Sequence, residues 1–182
     1  MKKIAGFLIG VLIITGCSSE EIGQASDQSE PTVKTIMDHI QEKISEDYNL
    51  MIIDGVVSNA TTEEPLYELV NLLSAEETEF FPFATHFNKE DLKAGYMLVP
   101  MDDTSHSELI IVVEISEPKA ITSVSHAMEK ILSDQEVMWS DYMEEQYEFV
   151  RMNKIAKQGN FVLYVTSAHA TEILKIFQSR VG

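Results

Sequence analysis

The apolar residues of this chain recur with two different spacings, one typical of helices and one typical of strands. After Thr32, which can cap a helix, Val33, Ile36, Ile40 and Ile44 recur every three or four residues and predict an amphipathic helix. Stripes of similar spacing predict further helices over residues 61–79, 88–97, 118–131, 141–150 and 167–177.

The strand patterns are concentrated in the second half of the chain. Residues 109–113 form a continuous apolar run, which is typical of a central strand covered on both faces. Residues 154–157 and 161–166 flank Gln158-Gly159-Asn160, a predicted hairpin turn, and residues 50–57 favour a strand or a bent hairpin. We therefore expect a single α+β domain over residues 32–182. It should contain an antiparallel sheet of about three to four strands with helices packed mainly on one face.

The first 31 residues have a different character. Lys2 and Lys3 precede an apolar stretch over residues 4–14, which is shorter than the roughly 20 residues that a membrane span needs. The stretch ends in Ile14-Thr15-Gly16-Cys17, which resembles a lipobox, the processing site of bacterial lipoproteins. The resemblance implies a signal peptide over residues 1–16 and a lipidated Cys17. Residues 18–31 are polar and acidic, so we expect residues 17–31 to form a flexible tether.

The charge of the chain restricts its partners. It carries 13 basic and 30 acidic residues, and removal of residues 1–16 would change the net charge from −17 to −19. Such a chain is repelled by nucleic acid phosphates, so we expect no nucleic acid partner. Cys17 is the single cysteine, so a lipidated domain would have no thiol for a disulfide, a metal site or catalysis.

No catalytic or cofactor-binding pattern stands out. Ser116-Glu117-Pro118-Lys119 matches a serine-x-x-lysine pair formally, but the SDN and KTG companion motifs are missing from the sequence. The five histidines fit no metal-ligand spacing, and no glycine-rich phosphate loop is present. We therefore expect a protein that is not an enzyme and that has no cofactor and no metal.

Aromatic residues are the better candidates for binding. Trp139, Tyr142 and Tyr147 are interleaved with acids, and we expect these three to contact a partner. Core packing is the alternative explanation of the same residues. Two further regions are candidates for a site that binds a small molecule or a cation. One is formed by the phenylalanines of residues 80–87, and the other by Asp102, Asp103 and His106.

Five segments of the second half of the chain form a distinctive set: Pro100-Met101, residues 107–112, the helix after Pro118, residues 145–150 and residues 157–163. Through these segments the chain resembles an uncharacterised family of lipoproteins from Gram-positive bacteria, a domain of unknown function. The resemblance covers roughly residues 84–180, and residues 48–83 match poorly. It implies a lipid-anchored domain at the extracytoplasmic face of the cell membrane and supplies no activity or catalytic residues.

The sequence thus predicts a lipid-anchored lipoprotein whose domain binds an envelope protein or another envelope component without catalysing a reaction. A small-molecule or cation receptor that serves a membrane system is the alternative. A membrane lipid, attached through Cys17, is its other partner.

Overall fold

The computed structural model of the protein describes residues 31–48, 50–53, 55–59, 66–102 and 105–182. The predicted signal peptide and nearly all of the predicted tether lie outside these ranges. The helices are α1 (Val33–Tyr48), α2 (Ala75–Thr78), α3 (Ile121–Trp139), α4 (Glu144–Arg151) and α5 (Ala170–Val181), with short 3₁₀ helices at Pro82–His86, Lys89–Asp91 and Pro118–Ala120.

The strands form a small hairpin and one larger sheet within the described ranges. The hairpin pairs β1 (Met51–Ile53) with β2 (Val56–Ser58). The larger sheet, here the central sheet, is antiparallel throughout and has the spatial order β3-β4-β5-β7-β6. Its strands are β3 (Tyr67–Asn71), β4 (Leu92–Pro100), β5 (Leu109–Ile115), β6 (Lys154–Gln158) and β7 (Phe161–Thr166).

Each face of the central sheet is covered by helices. Alternate strand residues such as Leu109 and Ile111 pack against α3, whereas Ile110 and Val112 pack in a second cluster with α1 and α5. This arrangement explains why residues 109–113 are apolar without alternation: β5 is central and is buried on both faces, as expected.

The predicted sheet was therefore wrong in two respects. The central sheet has five strands rather than three or four, and its helices lie on both faces rather than mainly on one. The α+β character remains, because helices and antiparallel strands are both present. The strand count was too low because β3 lies within the predicted helix over residues 61–79 and β4 overlaps the predicted helix over residues 88–97.

Other local predictions are confirmed. The hydroxyl of Thr32 accepts a hydrogen bond from the Thr35 backbone N–H at 3.1 Å, as expected at the start of α1. Gln158 pairs with Phe161 across the β6–β7 turn, where Gly159 has φ 57°, a left-handed conformation that favours glycine. The segment around Gly55 is the bent hairpin of β1 and β2.

Candidate functional site

The candidate site lies at one end of the central sheet. Strand β3 begins at this end with Tyr67, which pairs with Pro100 at the end of β4. Leu109 begins β5 here and pairs with Thr166 at the end of β7. The described residues between β4 and β5, residues 101–102 and 105–108, lie at this end because the chain passes from one strand to the other here.

Two cavities open on this end of the sheet and share part of their walls. The cavity on the α1 face has a volume of about 500 Å³, and the cavity on the α3 face has a volume of about 300 Å³. Volumes of this size are typical of ligand sites. We refer to the two together as the end cleft. Both cavities are lined by Pro100, Met101, His106 and Glu108.

Glu108 is the charged group at the junction of the two cavities. One carboxylate oxygen accepts a hydrogen bond from the Tyr67 hydroxyl at 2.5 Å, and the other accepts one from the Ser167 hydroxyl at 2.7 Å. Burial, and then the charge of Glu108, raises the pKa of Tyr67 far above its ordinary value. Tyr67 therefore remains a neutral donor. Partial burial and the same carboxylate also raise the pKa of Tyr48, which lines the cavity on the α1 face.

A buried polar network holds the segment that carries Glu108. The side-chain amide of Gln135, on α3, donates to the Ser107 carbonyl at 2.8 Å. Its oxygen accepts from the hydroxyls of Tyr164 at 2.6 Å and Thr166 at 3.0 Å. The Ser107 backbone N–H in turn donates to the Gln146 side chain of α4 at 2.8 Å. Satisfied buried networks of this kind rigidify a structure, so the network fixes Glu108 between the cavities.

The rim of the end cleft exposes large apolar side chains. Phe80 is 79% exposed, Met101 54% and Met138 52%, and all three line the cavity on the α3 face. Exposed apolar side chains therefore gather around this cavity, and two of the three are methionines, whose flexible side chains adapt readily to different neighbours.

The predicted contact residues Trp139, Tyr142 and Tyr147 do not form one exposed surface. Trp139 is only 2% exposed and lines the cavity on the α3 face, with its ring 5.8 Å from that of Tyr142. Tyr142 is exposed, whereas Tyr147 is half-buried on α4 and lines neither cavity. The core-packing interpretation is therefore correct for Trp139, and a role of the three in binding stays a prediction.

The other two candidate regions, the phenylalanines of residues 80–87 and the segment with Asp102 and His106, both contribute to the end cleft. Phe80, Phe81 and Phe83 line the same cavity as His106, and Asp102 lines the other, but Phe87 is buried in the core. Asp103 lies outside the described residues. Among the residues that the structure describes, no group of three histidines, cysteines or carboxylates is placed to hold a metal ion.

The serine-x-x-lysine segment lies at the opposite end of the sheet, directly after β5. The Ser116 hydroxyl donates to the Glu90 carbonyl at 2.9 Å, and the Lys119 ammonium pairs with Glu117 at 2.8 Å. Neither contact activates the serine as a nucleophile, because neither brings a base to its hydroxyl.

Sequence reasoning missed Tyr67, Glu108, Gln135 and Met138 as cleft residues. A partial signal was present for Glu108, because this carboxylate directly precedes the continuous apolar run of residues 109–113. Tyr67 carried no signal, since it lay within a segment interpreted as a helix.

A comparison with models of known protein families gives a match over about half of the chain. A family model described as a domain of unknown function, DUF4358, matches residues 73–167. This match confirms the resemblance at the level of an uncharacterised domain family. No curated protein and no solved structure gives a significant match. Within the described part of the chain, none of the helices has the length and apolar character that a membrane span needs.

Proposed function

The chain belongs to the DUF4358 family of domains of unknown function, and we propose that it is a lipid-anchored extracytoplasmic protein whose end cleft binds a component of the cell envelope without catalysing a reaction. Two independent features support this proposal, one at the N-terminus and one at the end of the sheet.

The anchor is supported by the sequence pattern. Lys2, Lys3, the apolar residues 4–14 and Cys17 occur in the order of a lipoprotein signal, and the chain resembles lipoproteins of Gram-positive bacteria. A lipid on Cys17 would hold the domain near the membrane through a tether that spans roughly 20 Å on average.

Replacement of the anchor residue tests this part. We expect Cys17→Ala to retain residues 1–16 and to lack the lipid, because the modified thiol is missing. The intact masses of the wild-type and variant chains, measured after membrane fractionation, check the result. If the wild-type chain carries no lipid, the anchor proposal is wrong.

The binding role rests on one observation: two cavities meet at Glu108 beneath a rim of exposed apolar side chains. A preformed cavity with a few convergent polar groups is the usual form of a binding site. Because buried hydrogen bonds hold Ser107, a ligand would meet a cleft that is already ordered, which lowers the entropic cost of binding.

A matched pair of variants tests the cleft. We expect at least one envelope component, among cell-wall fragments, peptides, sugars and amino acids, to raise the melting temperature of the full-length chain saturably. The rise should disappear in Phe80→Ser/Met138→Ser. It should persist in Val137→Ser/Met152→Ser, which replaces residues of comparable exposure (79% and 47%) that line neither cavity. Equal behaviour of the two variants would contradict binding in the end cleft.

A further inference from the structure

We propose that the occupant of the end cleft is a polypeptide segment in which a lysine or arginine stands beside a large apolar side chain. This inference rests on the proposed role of the cleft as a binding site, and it specifies the chemistry of the partner.

The charges that line the cleft are of one sign. Glu108 lines both cavities, Glu68 lines the cavity on the α3 face, and Asp102 lines the cavity on the α1 face. No lysine or arginine lines either cavity within the described ranges, and the imidazole of His106 is the one basic ring among the described lining residues. A cationic partner therefore meets complementary charge, whereas a phosphate or an anionic lipid is repelled.

Two of these carboxylates have capacity for a partner. Glu68 and Glu108 take part in none of the ion pairs between described residues. Each Glu108 oxygen accepts one hydrogen bond, although an ionised carboxylate offers about four acceptor positions. Both residues are half-buried, so an incoming ammonium or guanidinium group gains more from pairing there than at a fully exposed acid.

The apolar rim favours a polypeptide over a small molecule. Phe80, Met101 and Met138 extend from the cavity walls into solvent. A small ligand inside either cavity would leave most of their surface uncovered. A polypeptide segment can place one apolar side chain in a cavity and cover the rim with its neighbours, which buries the aromatic and methionine side chains that commonly contribute most to binding.

Fluorescence anisotropy with defined peptides tests the proposal on the full-length chain. The probe is a fluorescein-labelled octapeptide of alternating Lys and Leu. One comparison peptide replaces Lys by Gln, and another replaces Leu by Ser. We expect saturable binding of the Lys–Leu peptide and affinities weaker by about tenfold or more for the other two, because each lacks one half of the recognition chemistry.

Matched variants separate the cleft from the general negative charge of the chain. Glu68→Gln/Glu108→Gln and Glu90→Gln/Glu117→Gln remove the same charge, but Glu90 and Glu117 flank β4 and β5 at the opposite end of the central sheet. We expect about tenfold weaker binding of the Lys–Leu peptide to the first variant and less than about a twofold change for the second. Thermal melts verify that both variants fold. If Glu68→Gln/Glu108→Gln does not fold, Glu68→Gln alone replaces it and is compared with Glu90→Gln alone.

Each result has a distinct meaning. Absence of Lys–Leu binding, or equal loss in the two charge variants, would overturn the inference. Equal affinity for the Gln–Leu peptide would overturn the requirement for a cation, and the cleft would remain the binding site if Phe80→Ser/Met138→Ser still abolished binding. Binding that survives Phe80→Ser/Met138→Ser would overturn both the inference and the proposed function. Unlabelled Lys–Leu peptide and N-acetyl-lysine amide are also compared as competitors of the labelled peptide. If the two compete at the same concentration, the cleft binds a small cation and the inference of a polypeptide partner is overturned.

Discussion

At the scale of the residue, the end cleft is organised by groups that are distant in sequence. Glu108 accepts hydrogen bonds from Tyr67, 41 positions earlier, and from Ser167, 59 positions later. These long-range hydrogen bonds cannot be predicted from residue spacing, because spacing indicates only which residues are neighbours on the same helix or strand. Sequence reasoning therefore identified aromatic and acidic residues near the cleft, but it did not identify Glu108.

The buried tyrosine of this site predicts a pH dependence of stability. Burial raises the pKa of Tyr67 in the folded chain, whereas in the unfolded chain it should ionise near its ordinary value of 10.0. Above about pH 10 the unfolded state therefore loses a proton that the folded state retains, and the free energy of unfolding falls with rising pH.

Replacement of this tyrosine should reduce that loss. Above pH 10, we expect the free energy of unfolding of Tyr67→Phe to fall less steeply with rising pH than that of the wild-type chain, by about 1.4 kcal/mol per pH unit. Below pH 9 the two chains should show the same slope. Denaturant unfolding between pH 8 and pH 11.5 measures both slopes. Identical slopes above pH 10 would show that Tyr67 is not held neutral by the fold.

At the scale of the element, helix α3, strand β7 and the segment before β5 are joined by one side chain. The Gln135 amide satisfies the Ser107 carbonyl and accepts from the hydroxyls of Tyr164 and Thr166. All four residues are at most 2% exposed, so water cannot replace a missing partner without rearrangement.

Loss of this amide should destabilise the fold. We expect Gln135→Leu to lower the free energy of unfolding by about 2–3 kcal/mol, because it leaves a buried carbonyl and two hydroxyls with fewer partners. Gln178→Leu, at an exposed position on α5, is the matched control and should change it by less than about 0.5 kcal/mol. Urea unfolding of both variants is the measurement, and equal effects would contradict the structural role of the network.

Elements with a strong local signal were predictable, and those with ambiguous spacing were not. The hairpin at Gly159 and the apolar strand β5 each carry a pattern that few other structures produce. Strand β3 was interpreted as a helix because Leu66, Leu69 and Val70 match a helical stripe. In the structure Val70 packs on the α3 face and Leu69 on the other, so the apolar spacing reflects burial on two faces.

At the scale of the whole molecule, the central sheet is enclosed between α3 on one face and α1 with α5 on the other. The family match over residues 73–167 includes β4 to β7, α3 and α4, but not α1, β3 or α5. The cavity on the α3 face is therefore built mainly from the matched region. The cavity on the α1 face takes Tyr48, Leu50, Leu66 and Tyr67 from outside it.

The central claim is that the end cleft contacts an envelope component, and site-specific photo-crosslinking in intact cells tests it most directly. Met138 on the cleft rim and Met152 outside both cavities are 52% and 47% exposed, so a photoreactive p-benzoyl-phenylalanine replaces the same residue type at similar exposure. We expect a discrete crosslinked product from position 138, several times more abundant than any product from position 152. Equal yields from the two positions, or a greater yield from position 152, would contradict the claim.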